Sequence, residues 1–472
     1  MTKFSKADRP YLITVAVVDM VLAAWGMVVG STLLFILLMV VWFNMMAYAY
    51  HNLNRRVILF AFGVAFFTFL IGRELLEQYF REEPEYIFLP EINDHLHLSL
   101  TLALAGVWIS FAYFNRGKLY VNAESRLSSQ YIRVRNVSKT LFYIVLPFSL
   151  IYRLIIAYFV ATSGYASYYT DFAENVSGNI YLSIFNKIDT MLSVLFCCFI
   201  ATLPTKKEFK NVQIFYLIYL LLSLFGGQRG PFILGVLLMF IFYVYMQGLF
   251  PREVWFKKKY LNYSLIVLPF LASAGSFYNA WRFDKKLDEV GIFEGAKNFV
   301  YEQGVTGYVV KRAYMHESQI PEDVYLLQFT HSGLIAKVLG IPVYNGNTVE
   351  HATKGGSFAH AMGYVILGNE YLLGRGTGSS YVAELYYDTG YPGIFVGSCF
   401  FGFLFSLLYK AKSLFKRITI FIVVTQLLWA CRSSYVGFII LLTMPAIIVV
   451  GIIMFLYSRK TKKVVFRLKQ RT

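Results

Sequence analysis

Apolar residues in this chain come in long, nearly unbroken blocks. They do not alternate with polar residues at the helical or strand period of a soluble domain. A block of about 20 apolar residues crosses a bilayer as a helix. The pattern predicts twelve such runs, at about 11–29, 31–50, 57–72, 96–114, 139–161, 180–203, 211–225, 230–249, 260–277, 388–409, 417–432 and 434–457. The fold expected is therefore an all-α polytopic membrane protein. The first run is expected to stay as an uncleaved span, since no small-residue cleavage site follows it. Residues 278–387 break the rhythm, being polar, mixed in charge and too long for a simple connector. Stretches 291–315 and 322–339 within them have helical periodicity, with Pro321 suited to a helix start. The division expected is helices one to nine over 1–277, an extracytoplasmic segment over 278–387, three helices over 388–457 and a basic tail over 458–472.

Composition sharpens this picture. Of 472 residues, 57% are hydrophobic and only 15% charged, which leaves too little polar surface for a water-soluble enzyme and too much apolar mass for disorder. The four cysteines lie in apolar runs, so neither a disulfide framework nor a zinc cluster is indicated. A net charge of +17 would suggest nucleic acid, but its distribution does not. With the N-terminus on the cytoplasmic side, 29 of the 44 Lys and Arg residues fall in cytoplasmic segments. The short opposite loop 73–95 holds two basic residues against seven acidic ones. That asymmetry orients the chain with both termini cytoplasmic, and the excess charge also attracts anionic lipid.

Charges inside the spans are costly and mark either helix-pairing or function. Arg153 lies about 12 Å and Asp189 about 13 Å below the outer ends of successive helices. Two readings follow: an ion pair that holds neighbouring helices, or the wall of a polar cavity open to the outer leaflet. No file of charges continues to the cytoplasmic side, as a transporter with midplane sites would need.

Three motifs could carry chemistry. Gly226-Gly227-Gln228-Arg229-Gly230-Pro231 joins two spans on the outer side. It is either a tight hairpin or a phosphate site, in which Arg229 offers a planar fork of donors and Gln228 a second polar group. Gly374-Arg375-Gly376-Thr377-Gly378-Ser379-Ser380-Tyr381 leads into a helix carrying Glu384. A Gly-rich loop entering a helix is an anion site in principle, and Arg375, Ser379 and Ser380 are its side-chain donors. The lysine of a nucleotide-binding P-loop is missing. Glu384 is expected near the membrane surface, either as a proton acceptor or as a surface residue favoured by the helix dipole. Six of the seven histidines fall on the outer side, and His360 is the best placed of them to act as a base. Arg282 and Arg432 lie at the outer ends of two further spans. Four arginines thus approach one membrane face, which suits a diphosphate at headgroup depth.

The stretch from His360 through the Gly374–Tyr381 loop to Glu384 and Gly390 resembles the Wzy-type O-antigen polysaccharide polymerases. So do Gly227-Gln228-Arg229-Gly230 and the pair Arg432-Ser433. The resemblance implies an enzyme of the bacterial cytoplasmic (inner) membrane that works on its outer face. It would join oligosaccharide repeat units carried on undecaprenyl diphosphate into O-antigen, capsule or exopolysaccharide, and release undecaprenyl diphosphate. The donor is already activated, so neither cofactor nor metal is implied. Arg229, Arg282, Arg375 and Arg432 would hold the diphosphate, and Glu384 or His360 would deprotonate the acceptor. The partners implied are lipid-linked oligosaccharides, membrane lipid, a chain-length-regulating co-polymerase and a flippase, with no nucleic acid. Two other readings remain: a ligase that moves finished glycan to another acceptor, and a flippase for lipid-linked oligosaccharide.

Overall fold

A computed structural model describes residues 9–116, 123–163, 172, 178–227, 229–261, 263 and 292–459. The described residues form helices and loops. The first are α1 (Arg9–Val29), α2 (Leu33–His51), α3 (Val57–Phe66) and α4 (Gly72–Tyr79), then α5 (Pro90–Phe114), α6 (Ser129–Ser163), α7 (Ile180–Ala201), α8 (Lys206–Phe225) and α9 (Arg229–Leu249). Shorter helices follow: α10 (Ile292–Gln303), α11 (Thr306–Met315), α12 (Gly333–Leu339), α13 (Val349–Lys354), α14 (Phe358–Leu367) and α15 (Asn369–Leu372). The chain closes with α16 (Tyr381–Lys410), α17 (Leu414–Trp429), α18 (Gly437–Thr443) and α19 (Pro445–Arg459).

Among the described residues, nine helices are long and apolar enough to cross a membrane, and the α18–α19 pair, bent by 63°, makes a tenth if taken as one span. The chain is a multi-pass membrane protein. Of the two other runs expected from sequence, the first forms α1, whose apolar part Ile13–Val29 is shorter than a full span. Most of the 260–277 run lies outside the described residues. α3 and α4 make one continuous rod through a π-helical turn at Phe67–Ile71, so the apolar run continues into charged residues without leaving the helix.

The bundle has two unlike ends. At the basic end, α8 starts with a capping box: the Thr205 hydroxyl accepts from Glu208 N, and the Glu208 carboxylate accepts from Thr205 N. At the other end, residues 292–380 fold back over the helices, with α10 against α4 and α11 against α5. We call this the loop end.

α5 and α16 form the central pair. A Cβ at Gly402 would strike the Val107 carbonyl, and one at Gly106 would strike that of Phe395, so the two backbones touch. α16 is not one rod. Gly390 has φ 67° and ψ −164°, a conformation closed to most L-residues, and Pro392 follows it. The chain reverses there, and Leu385 packs where a Cβ on Gly397 would sit. The ring of Tyr381 lies 5.0 Å from Phe401 and 6.5 Å from Phe62. Tyr381–Thr389 is therefore a half-helix whose N-terminus is buried inside the bundle, not a surface lead-in to a span.

Candidate functional site

Three broken segments lie in the loop-end half of the bundle: the turn at Gly226–Gly227, the loop that descends to Tyr381, and the turn after α17. The last two are joined by Glu384, at 1% exposure. The Ser379 hydroxyl donates to Oε1 at 2.6 Å, while the Ser434 hydroxyl and the Tyr435 backbone N–H donate to Oε2 at 3.0 and 2.8 Å. One carboxylate thus ties the Gly-rich loop to the Arg432–Tyr435 turn. Three donors offset part of the cost of burying this side chain. Ser380 caps the half-helix, accepting from Val382 N. Both serines expected as anion donors are buried and engaged with protein.

Beside this junction is a cavity of about 520 Å³ between α6, α7, α8, α9 and α17. Arg153, Asp189 and Tyr219 line one side, and Gly230, Trp429 and Ser433 the other. Arg153 meets Asp189 through Nη2–Oδ2 at 2.6 Å and Nε–Oδ1 at 3.4 Å. Tyr219 accepts from Arg153 at 2.9 Å and donates to Asp189 at 3.3 Å. The pair joins α6 to α7 and also lines this cavity.

The arginines expected to converge do so only in part. Arg432 is half-buried, donating from Nη1 to Gln303 Oε1 at 3.0 Å, with its guanidinium 5.8 Å from the Phe69 ring centre. The nearest atom to a Cβ on Gly378 would be the Arg432 carbonyl oxygen, so the Gly-rich loop passes directly over this turn. Arg375 is turned away. Its side chain is 68% exposed and pairs with Glu370 at 2.9 Å. Arg229 begins α9, and the next residue lines the cavity; its side chain is not among those described. Gln228 and Arg282 lie outside the described residues.

His360 belongs to a separate cluster. Its Nδ1 hydrogen-bonds the Tyr371 hydroxyl at 2.8 Å, and its ring stacks on His351 at 3.6 Å. Burial, reinforced by the charge of His351, lowers its pKa to about 4. It is therefore neutral at pH 7 and a weak base. Burial lowers His351 as well. The hydrogen bonds of His360 and of Glu384 do not meet.

Sequence reasoning missed a charged network on α4. Arg73, 2% exposed, donates to Glu77, Glu85 and Tyr301 at 3.0, 3.1 and 2.9 Å, with its guanidinium about 4 Å from the rings of Tyr301 and Tyr308. Glu74 and Lys311 pair at 2.5 Å, both nearly inaccessible, and His97 lies 3.5 Å from the other Glu74 oxygen. From the sequence, Arg73, Glu74, Glu77 and Glu85 count only as charges of the 73–95 loop. The usable signal was the α4 spacing Arg73, Glu74, Glu77, which continues the helical period beyond the apolar run. Among the described residues, no group of three or more His, Cys, Asp or Glu side chains is placed to hold a metal ion.

A family model described as O-antigen polysaccharide polymerase Wzy matches residues 11–463, nearly the whole chain. The chain belongs to the Wzy family. Members join lipid-linked repeat units, so this chain is an enzyme and its substrates are lipid-linked oligosaccharides. No curated protein and no solved structure matches it. Within this Wzy chain, the matched region includes all three broken segments and both turns that Glu384 joins.

Proposed function

We propose that the loop end lies on the non-cytoplasmic side, and that both termini are cytoplasmic. There the protein lengthens an O-antigen, capsule or exopolysaccharide chain carried on undecaprenyl diphosphate. The acceptor hydroxyl of a new repeat unit attacks the anomeric carbon of the growing glycan. A carbon–oxygen bond forms, the anomeric bond to the diphosphate breaks, and undecaprenyl diphosphate leaves with the electron pair. Direct displacement inverts the anomeric centre.

Arg432 and Arg229 stabilise charge on the departing diphosphate, which preorganised guanidinium donors do best in a site poor in water. The Arg153–Asp189 pair is already neutralised internally, so it shapes the cavity wall more than it attracts the anion. Glu384 accepts the acceptor proton. It is preferred to His360 because burial leaves His360 a weak base, engaged with Tyr371 and His351. The observation that carries this reading is the Glu384 carboxylate itself. It joins the Arg432 turn to the Gly-rich loop at the buried end of a half-helix, next to a cavity.

The test is purified protein in detergent with a defined lipid-linked repeat unit, read as a ladder of products and as released undecaprenyl diphosphate. Glu384→Gln keeps the shape and most of the hydrogen bonds but cannot take a proton. The expected result is intact folded protein with single units accumulating. A ladder of wild-type length from this variant would overturn Glu384 as the base.

A further inference from the structure

We propose that the hollow between α11 and the outer part of the half-helix is a subsite for sugars of the glycan, taking neutral or amine-bearing sugars and disfavouring acidic ones. Where these sugars lie relative to the reacting centre rests on the reading of Glu384 as the base; their binding does not.

The hollow measures about 670 Å³. A second, of about 490 Å³, shares Tyr314, Met315 and Glu317 with it, so the two adjoin as one groove. Its walls are tied together by the protein itself. The Tyr387 hydroxyl donates to the Ile320 carbonyl at 3.2 Å, and the Tyr325 hydroxyl to that of Pro321 at 2.7 Å. Asp388 accepts from the backbone N–H groups of Leu326 and Tyr325 at 2.7 and 3.3 Å. These bonds pin residues 320–326 to the half-helix. Tyr314 is set by His95, whose ring stacks on it at 4.3 Å and whose Nδ1 hydrogen-bonds the Tyr391 hydroxyl at 3.0 Å. A wall already in place loses little freedom when a ligand binds.

The lining selects the ligand class. Tyr314 and Tyr387 offer aromatic surface, while Glu317, Glu322, Asp323 and Asp388 offer carboxylates. Among the described residues lining the two hollows there is no Lys or Arg. A diphosphate would meet only like charge here. A polyprenyl chain would strip the carboxylates of water without replacing their hydrogen bonds. A sugar matches both features. Its C–H faces suit the rings, and its hydroxyls donate to carboxylates, which in the ionised state only accept. A protonated amino sugar gains charge-assisted bonds, whereas a uronic or sialic acid is repelled. The lipid-linked oligosaccharides on which this chain acts bring sugars to the protein. Asp388 follows Glu384 by one turn on the same face of the half-helix, about 6 Å further along its axis. The hollow therefore receives sugars beside the reacting one.

The test titrates the full-length protein in detergent with three tetrasaccharides, read by saturation-transfer NMR and calorimetry. They are chitotetraose (neutral), its deacetylated glucosamine form (cationic) and tetragalacturonate (anionic). Affinity is expected to fall in the order cationic, neutral, anionic, by about tenfold or more from first to last at low salt. Ser318→Trp places bulk in the hollow from an exposed position. It should fold as wild type, lose about tenfold in chitotetraose affinity and raise KM for the lipid-linked unit more than it changes kcat. Glu317→Gln with Glu322→Gln keeps the shape and should reduce the cationic-to-anionic preference about threefold or more. Equal affinity for the three probes, or unchanged chitotetraose binding in Ser318→Trp, would overturn the subsite. So would tetralysine binding as tightly as the glucosamine tetramer while chitotetraose does not bind, since that marks a merely acidic surface. Glu384→Gln should bind all three probes as wild type does. Wild-type ladders from Glu384→Gln, with probe binding still lost in Ser318→Trp, would remove Glu384 as the base and leave the subsite standing.

Discussion

Arginine does different work at the two ends of this molecule. At the basic end, Arg417 is fully buried and gives its donors to the carbonyls of Ala201 and Ala411 and to the Tyr131 hydroxyl. Arg135 donates to the Thr202 and Arg126 carbonyls and to Glu208. Both satisfy carbonyls at or beyond the end of α7, which a helix leaves without internal partners. At the loop end, Arg432 meets a neutral amide and an aromatic ring. The lesson is that position in a count of basic residues says little about role. The basic-end arginines that contribute to the topology signal are partly fasteners, whereas the loop-end arginine sits in a turn beside the Gly-rich loop.

The contrast can be broken or sharpened by substitution. The largest effect is expected from Arg432→Ala, about 100-fold or more off ladder synthesis with normal membrane insertion, the scale of losing one preorganised charge donor. Wild-type ladders from this variant would erase the difference between the two ends. Arg417→Met is expected to lower stability by about 2–4 kcal/mol, since buried carbonyls lose their donor. Thermal unfolding in detergent measures this, and the folded fraction should retain full specific activity. A loss of specific activity without a change in midpoint would reverse the roles assigned to the ends.

Acidity gives a third, smaller effect. The folded-state pKa of His360, about 4, lies below the value near 6.5 for an unperturbed imidazole. Its contribution to stability is therefore complete above about pH 6.5 and is lost as pH falls towards 4. His360→Asn should flatten this part of the stability–pH curve. An acid limb of kcat/KM with an apparent pKa near 6.5 that disappears in His360→Asn would contradict a weakly basic His360. The smallest effect is expected from Arg375→Ala, within about twofold of wild-type synthesis, because its exposed pair with Glu370 contributes little. A large loss would bring Arg375 back among the diphosphate ligands.

Much of the fold was legible because lipid imposes a blunt rule, a long apolar run for each crossing. The buried half-helix was less so. Gly390 and Pro392 mark a break in plain sight, but hydropathy alone cannot tell whether the chain before a break lies on the surface or dips into the protein. Tyr381 and Leu385 look equally apolar in both cases. Of the candidate site, the glycines, Glu384 and Ser379 were legible, and the structure brings them to the turn that carries Arg432. Gln303 and Lys311 were not, because nothing in their local sequence announces partners more than two hundred residues away on α4, or across the bundle at Arg432. Arg375 misled for the opposite reason: it sits inside a telling motif, yet Glu370, five residues earlier, draws it outward.

The backbone contact at Gly106 and Gly402 carries a mechanical consequence. With no side chain between them, α5 and α16 cannot slide past one another without a collision of peptide groups. The central pair behaves as a fixed post. Synthesis should therefore be indifferent to a crosslink between these two helices.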